Sequence, residues 1–422
     1  MPSSIPSIPF DVLDIIVDFV ASVPDSDGFE QMDKETISTL AAWRSTGRYF
    51  DAMVRPRLWQ IVVLDDRDSR VHRYEELQEL LHASPDIGGF VQSFAYKTNP
   101  NSMRNDPHLP NILRRFSKLK DIQLECIPGI LRWADLGQDI AMEFQQLFRL
   151  PTLTMIELRG VKEVPTALIT SCKNLTRLIL RDVFFDCCID QVAKLPQAHA
   201  APVAASPPPQ LKTLELWPRV ASSDILAFNS LQMFTKVESL RLSVFDEDDL
   251  RTALAVMSSS QASVRQLKIG GTYLLDKIGD GDWKCQLDLE QLVKLEHIQV
   301  YCVMDTDAYS SKRLPAHLIV LLDRSMPSLT VTSLQISLKI YVLGTELMLH
   351  LTEGWDGLDD IVMAKYPKLQ ILRLHFISLF SSAPKEDEVM VRNHIRSVLP
   401  KIIASGAIKV QVITDAGLVW DL

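Results

Sequence analysis

The side chains with the clearest capacity for binding chemistry are basic and aromatic residues that recur beside short leucine-rich segments. They are Arg159, Arg177, Arg181, Trp217, Arg241, Lys268, Tyr301 and Arg373. Guanidinium groups pair with carboxylates and phosphates, and they also stack on aromatic rings. A surface that presented these residues together would suit an acidic or phosphorylated peptide. The alternative is that they are ordinary solvated strand residues, because a register shift of one residue would turn any of them to the other face.

Recognisable catalytic and metal-binding motifs are absent from the sequence. It has no phosphate-binding glycine loop, no nucleophile elbow and no His-Glu-x-x-His zinc pattern. The acidic segment Asp280-Gly281-Asp282 lacks the graded spacing of a calcium loop, which favours a solvated turn. The nine histidines are scattered, and none has a ligand spacing to a cysteine or to another histidine. We therefore predict a protein that is not an enzyme and has no catalytic residue, metal or cofactor.

A repeated apolar pattern sets the positions of the basic residues. Segment 237–245 has apolar residues at its first, fourth and sixth positions, and the last two alternate with Arg241 as in a half-buried strand. The fourth and sixth residues of the copies are Ile122/Leu124, Ile156/Leu158, Leu178/Leu180, Leu214/Leu216, Leu240/Leu242, Leu267/Ile269, Ile298/Val300, Leu334/Ile336 and Leu372/Leu374. Weaker early copies are Phe94/Tyr96 and Ile61/Val63. Because such a strand cannot bury its apolar face alone, the pattern predicts a solenoid of units that cover one another.

Charge, cysteine usage and hydropathy predict the environment of the protein. The net charge of −9 argues against a generic surface for nucleic acids or anionic membranes. The six cysteines form no Cys-x-x-Cys pair, which favours buried free thiols in a reducing compartment. Acidic residues interrupt the first apolar run, and no window is long enough for a membrane span. We expect a cytoplasmic or nuclear protein.

The N-terminal residues predict a small helical region before the repeats. In segment 8–22, Pro9 suits a first helical turn, and apolar residues recur at three- and four-residue steps. A second helix is predicted from Glu35 through Tyr49. A third short segment ends at Leu58-Trp59, and a strand follows over residues 60–64.

This region resembles an F-box domain, and the order of elements resembles fungal F-box-like proteins with C-terminal irregular leucine-rich repeats. The resemblance is carried by Ile8, Pro9, Leu13, Ile16, Phe19, Leu40, Trp43, Leu58 and Trp59. The chain departs from the family where additional residues separate the first two helices. It departs again where segment 44–48 replaces the usual Cys-Arg-x-Trp stretch.

The resemblance implies an α/β protein with two domains. Residues 1–64 would form an F-box-like helical domain that binds the Skp-family adaptor of a cullin–RING ubiquitin ligase. Residues 65–422 would form a leucine-rich-repeat-like solenoid with a curved parallel sheet and a loop insertion near 196–210. That solenoid would bind a target protein, with no nucleic-acid or membrane partner. The alternative is a non-enzymatic leucine-rich-repeat scaffold without a ubiquitin-ligase link. Its N-terminal helices would only cap the repeats and would leave no apolar stripe exposed.

Overall fold

The structure, a computed structural model, describes most of the chain in segments. The described residues are 10–21, 34–65, 72–99, 107–126, 129–186, 208–217, 220, 225, 228–229, 231–271, 289, 291–304, 319, 322–323, 328–340, 355, 357–378, 393–414 and 419–421. The chain forms two compact units. The first unit is Met1–Leu178 with Val183–Pro209, and the second is Ile179–Asp182 with Gln210–Leu422. The boundary predicted at residue 64 therefore falls inside the first unit. Most of the loop predicted near 196–210 lies outside the described residues.

Strands and helices alternate along the chain, which confirms the predicted α/β class with a large parallel sheet. The helices are α1 Phe10–Ala21, α2 Lys34–Arg44, α3 Arg48–Leu58, α4 His72–Ala83, α5 Leu109–Leu113, α6 Gln138–Phe148, α7 Thr166–Thr170, α8 Glu247–Ser260, α9 Leu358–Lys365 and α10 Pro400–Ser405. The first strands are β1 Ile61–Asp65, β2 Ser93–Thr98, β3 Asp121–Cys126, β4 Leu131–Arg132, β5 Met155–Arg159, β6 Val161–Lys162, β7 Val164–Pro165, β8 Arg177–Arg181 and β9 Phe185–Asp186. The remaining strands are β10 Thr213–Leu216, β11 Ser239–Ser243, β12 Gln266–Gly270, β13 His297–Met304, β14 Ser333–Ile340, β15 Ile371–Ser378, β16 Lys409–Thr414 and β17 Val419–Asp421.

Each unit contains parallel strands in chain order. In the first unit, β1, β2, β3 and β5 are hydrogen-bonded neighbours. In the second unit, β10 through β16 follow one another in the same way, and β17 pairs antiparallel with β16. Strand β16 is thus a further parallel member of the sheet, with β17 beyond it.

The predicted phase of the repeat is confirmed by the strand register. In the second unit, Leu214, Leu240 and Leu267 are direct partners at the fourth position, and the next strands continue the row. The residues at the first, fourth and sixth positions are buried in both units. Full burial of a leucine or isoleucine side chain stabilises a fold by roughly 1.5–3 kcal/mol. The rows of leucine therefore form the core that holds neighbouring strands together.

The backbone repeats with the same regularity just before each strand. The amide of Glu238 donates to the carbonyl of Lys212 at 2.8 Å, and the amide of Arg265 donates to the carbonyl of Glu238 at 2.8 Å. The amide of Glu296 donates to the carbonyl of Arg265 at the same distance. Each repeat thus pairs its entry residue with that of the previous repeat, so that few backbone polar groups are left without a partner.

The register of β1 differs from the prediction by one residue. Ile61/Val63 was predicted as the core pair, but Val62 pairs with Phe94 and Leu64 lies in line with the next core position. Val62 and Leu64 are buried, whereas Ile61 and Val63 are only partly buried. The strand is apolar at both alternate sets of positions, so its sequence does not determine which set faces the core.

The helix predicted from Glu35 through Tyr49 is wrong in extent, because two helices occupy that region. Helix α2 ends at Arg44, and α3 begins at Arg48 after Gly47. At the end of α2, the hydroxyl of Ser45 donates to the carbonyl of Ala42 at 2.6 Å, and that of Thr46 donates to the carbonyl of Trp43 at 2.7 Å. Short hydroxyl side chains satisfy terminal carbonyls in this way and compete with continuation of a helix.

The structure describes the side chains of two of the six cysteines. Cys126 and Cys172 are buried free thiols. Burial raises the pKa of Cys126 to about 11 and that of Cys172 to about 12. At neutral pH both therefore remain protonated and behave as small apolar side chains. Among the described helices, none has both the length and the apolar character that a bilayer crossing requires.

Candidate functional site

The strands of the second unit bring part of the predicted basic and aromatic set together. At the fifth position of the repeat, Glu215 is in register with Arg241, and Arg241 with Lys268. Two positions further along the strands, Ser243 is in register with Gly270 and Gly270 with Tyr301. Alternate residues of a strand share a face. We call Arg181, Trp217, Arg241, Lys268 and Tyr301 the Trp217 cluster.

Cations lie over both aromatic rings of the Trp217 cluster. The guanidinium carbons of Arg181 and Arg241 are 4.2 Å and 4.1 Å from the centroid of the Trp217 ring. Around Tyr301, the guanidinium carbon of Arg241 is 5.9 Å from the ring centroid, and Nζ of Lys268 is 5.8 Å from it. A cation at such a distance is attracted by about 0.5–2 kcal/mol, depending on its desolvation. The rings therefore hold the three cations close together against their mutual repulsion.

The position of Tyr301 depends on the glycine beside it. A Cβ on Gly270 would overlap the carbonyl oxygen of Tyr301 and press on its ring. The hydroxyl of Tyr301 is hydrogen-bonded to Ser243, and it also donates to the carbonyl of Leu242 at 3.3 Å. Burial raises the pKa of Tyr301, so its phenol stays neutral at physiological pH. Its side chain thus spans from β13 to β11.

A buried carboxylate offsets part of the positive charge. Glu215 is 5% exposed, and its Oε2 lies 3.6 Å from Nη1 of Arg241. The cluster with Glu215 carries three positive charges and one negative charge. Three cations are thus grouped around one carboxylate on a protein whose overall net charge is −9.

The remaining residues of the predicted face lie elsewhere. In the first unit, Nη1 of Arg159 is 3.7 Å from the carboxylate of Glu125, and Arg177 belongs to the same unit. In the second unit, Nε of Arg373 donates to the side-chain oxygen of Gln411 at 3.0 Å. The predicted set is thus not one uniform surface. Ser243 and Gly270 also belong to this site but were not predicted, although a glycine at a position where other repeats carry larger residues is a detectable signal.

The N-terminal helices form a second candidate surface with a small core of their own. That core consists of Val17, Ala21, Leu40, Met53 and Val54, with Leu13, Val20, Trp43 and Leu58 packed against it. Arg57 on α3 fixes α1 by two ion pairs. Its guanidinium is 3.0 Å from Asp14 and 2.6 Å from Asp18. The rotation of α1 about its axis is therefore set by its core face and by these charges.

This rotation leaves an apolar row of α1 facing solvent. Val12, Ile15 and Ile16 are 42%, 67% and 39% exposed. They are separated by three and four residues and so share one helix face. Exposed large apolar side chains that are grouped in this way are typical of interaction surfaces. We call these three residues the α1 row.

The predicted partner-binding residues divide between this row and the core beneath it. Ile16 belongs to the α1 row, whereas Leu40 is fully buried and supports the helices from within. Leu13, Trp43 and Leu58 pack on the core, and Trp59 is half-buried. Ile8 and Pro9 lie outside the described residues, as does the side chain of Phe19. Ile15 is the most exposed member of the row and was missed, although its spacing from Val12 could have indicated it.

An open cavity of about 480 Å³ lies between α4 and α5 in the first unit. It is lined by Gln78, Leu81, His82, Asn111, Arg114 and Arg115. Nε of Arg114 is held at 2.6 Å from the buried carboxylate of Glu143, and its Nη1 donates to Asn111 at 3.3 Å. Arg114 therefore compensates a buried charge. Within the part of the chain that the structure describes, no group of three or more His, Cys, Asp or Glu side chains is placed to hold a metal ion.

Comparison with known proteins finds no family model that matches the chain and no curated protein with a significant match. A functional assignment therefore depends on the two surfaces described above.

Proposed function

We propose that this protein is a substrate-recognition adaptor of a cullin–RING ubiquitin ligase. The N-terminal helices, as an F-box-like region, bind a Skp-family adaptor through the α1 row. The leucine-rich repeats form a solenoid with a curved parallel sheet that holds a target protein. The chain carries out no covalent chemistry, and it acts by raising the effective concentration of the target beside the ligase.

The observation that carries this proposal is the α1 row itself. Helices α1–α3 have their own small core and still leave Val12, Ile15 and Ile16 exposed. A cap that only covered the end of the repeats would bury its large apolar side chains against the first strand. An apolar row that stays exposed although its helices have a separate core is instead typical of a docking surface.

A non-enzymatic leucine-rich-repeat scaffold is the second candidate, and one observation favours it. The carbonyl of Gln60, just after α3, accepts the amides of Gln92 and Ser93 at 2.9 Å and 3.0 Å. Arg55 of α3 also lies 3.3 Å from the carboxylate of Asp86. The helices are thus tied to the start of the sheet, as a cap would be. The scaffold would bind its target without any ligase component.

Co-purification with a recombinant fungal Skp-family adaptor separates the two candidates. The adaptor function predicts that the wild-type chain retains the adaptor and that Ile15→Asp with Ile16→Asp abolishes retention. Both residues project from the core, so the double variant should keep the thermal unfolding temperature of the wild type.

The matched control is Val293→Asp, because Val293 is an apolar residue of the second unit that is 59% exposed. It should leave retention unchanged. Failure of the wild-type chain to retain the adaptor, or equal retention by the double variant, would favour the scaffold.

A further inference from the structure

Arg57 of α3 uses three side-chain nitrogens as hydrogen-bond donors. Its Nε donates to Oδ1 of Asp18 at 2.8 Å, and its Nη2 donates to Oδ1 of Asp14 at 3.0 Å. Its Nη1 donates to the backbone carbonyl of Met53, on its own helix, at 2.9 Å. The bond to Met53 fixes the guanidinium relative to α3, so the two carboxylates of α1 are fixed relative to α3 as well. We call Arg57, Asp14 and Asp18 the Arg57 clamp.

The sequence of α1 explains why its rotation depends on such a clamp. The helix has apolar residues on its core face, among them Leu13 and Val17, and also on the α1 row. Hydrophobic burial alone therefore does not determine which of these faces packs against α2 and α3. Asp14 and Asp18 share a third face, about 100° from the core face and about 130° from the α1 row. The bonds of this third face to Arg57 oppose the rotation that would bury the row.

The carboxylates of α1 have no cationic partner within the helix itself. Residues 10–21 include three aspartates and no basic residue, and like charges four residues apart on a helix repel each other. Arg57 supplies the positive charge from α3. Its planar guanidinium places its donors in fixed directions, whereas lysine carries a single ammonium on a flexible stem. The position of α1 therefore depends on an arginine and not only on a positive charge.

We infer that Arg57 is a positioning residue, which holds α1 in the rotation that presents the α1 row to the adaptor. This inference rests on the proposed function, which assigns the adaptor to that row. If only a fraction of the molecules presents the row, the apparent Kd rises in inverse proportion to that fraction. The side chains of Arg57, Asp14 and Asp18 are 21%, 47% and 60% exposed, and partly exposed ion pairs contribute little to global stability. Loss of the clamp should thus change adaptor affinity more than it changes the unfolding temperature.

The first measurement is the Kd of the purified full chain for a recombinant fungal Skp-family adaptor. Arg57→Lys keeps the net charge, and hence the long-range attraction between the proteins, but lacks the planar fork. It should bind about tenfold more weakly, as for a presented fraction of about one tenth. The ratio of the two Kd values should shrink at high salt, because salt screens the clamp in the wild type. General damage to the fold would leave this ratio independent of salt.

Further variants test whether the three residues act as one unit. Asp14→Asn with Asp18→Asn should also weaken binding about tenfold, and its combination with Arg57→Lys should bind no more weakly than either alone. Arg55→Lys is the matched control, because Arg55 lies on the same helix but pairs with Asp86; it should change the Kd less than about twofold. Equal Kd values for wild type and Arg57→Lys, a salt-independent ratio, or losses that multiply in the combined variant would overturn the inference. If Arg57→Lys does not fold, the double asparagine variant decides the question by the same measurements.

Hydrogen exchange of the free chain separates this inference from the proposed function. Isolated helices shorter than about 12–15 residues are marginal in water, so the amides of α1, a helix of 12 residues, are protected only while it is docked. In Arg57→Lys they should exchange about tenfold faster than in the wild type, while the amides of β11 stay unchanged. If the wild type does not bind the adaptor, the proposed function fails, and faster exchange of α1 in the variant still supports the clamp. Unchanged exchange of α1 would overturn the clamp in either case.

Discussion

The two units have different residues at the same position of the repeat. At the fifth position, the first unit has Val63, Ala95, Gln123 and Glu157, whereas the second has Ile179, Glu215, Arg241, Lys268, Gln299, Gln335, Arg373 and Gln411. The first unit therefore presents no cation at this position. The second presents three.

The strand face of the first unit contains a buried and paired carboxylate. Glu125 is buried, accepts a hydrogen bond from Gln123 at 3.2 Å and lies 3.7 Å from Arg159. In the second unit, the buried Glu215 lies beside Arg241, whose Nε has no acceptor among the described residues. The comparison indicates that polar residues of the first face stabilise the fold. On the second face, Arg241 lies over the Trp217 ring, and its Nε has no acceptor among the described residues.

The largest expected effect concerns the glycine that the second face requires. In Gly270→Ala, the new Cβ would overlap the backbone carbonyl of Tyr301, which must shift at a cost of more than about 3 kcal/mol. Urea unfolding should show this as a lower midpoint. Gly89→Ala in the first unit is the control, because a Cβ there has open space. If both variants matched the wild type in stability, the close approach of β12 and β13 would be wrong.

The next largest effect is the difference in stability between losing the Arg241–Glu215 pair and losing the Arg159–Glu125 pair. Arg241→Ala leaves the buried Glu215 without this partner, and we expect a loss of about 2 kcal/mol, below the range for a fully buried pair. Arg159→Ala should cost only about 0.5 kcal/mol, because Arg159 is more exposed and Glu125 keeps its bond from Gln123. Denaturant unfolding of both variants measures the difference. Equal losses would mean that the two faces do not differ in how they hold their carboxylates.

The smallest effect concerns the hydroxyl of Tyr301. Tyr301→Phe deprives Ser243 of its partner and should cost about 1 kcal/mol at neutral pH. Burial raises the pKa of Tyr301 above its ordinary value of 10.0, so the unfolded chain ionises first as the pH rises. The stability difference between wild type and Tyr301→Phe should therefore be constant below pH 10 and shrink as the pH rises above it. A difference that grows above pH 10 would contradict a buried, neutral phenol.

The repeat could be predicted from the sequence because its pattern alternates clearly. Leu240 and Leu242 flank Arg241, so only one face of the strand can be apolar, and the register follows. The start of α8 is equally well determined by local residues. Asp246 accepts the amide of Asp249 at 2.8 Å as an N-cap, and carboxylates crowd the first turn. In each case, local residue chemistry and packing favour the same structure.

The sequence was a poor guide where both alternatives were chemically acceptable. Strand β1 is apolar at adjacent positions, so Val62 rather than Ile61 became the core residue only through its pairing with Phe94. The selection of Arg181, Trp217 and Arg241 from a longer set of candidates depends on contacts between strands that are far apart in sequence. Whether Ile15 or Leu13 faces solvent is set by the packing of α1 on the small core and by its ion pairs with Arg57. The spacing of residues in the sequence does not determine these contacts.

Direct binding to the adaptor tests the proposed function most directly. A recombinant fungal Skp-family adaptor is immobilised, and the purified full chain is passed over it. The proposal predicts that the wild-type chain and Val293→Asp are retained and that retention is lost in Ile15→Asp with Ile16→Asp. A folded wild-type chain that is not retained, or a double variant that is retained as well as the wild type, would contradict the proposed function.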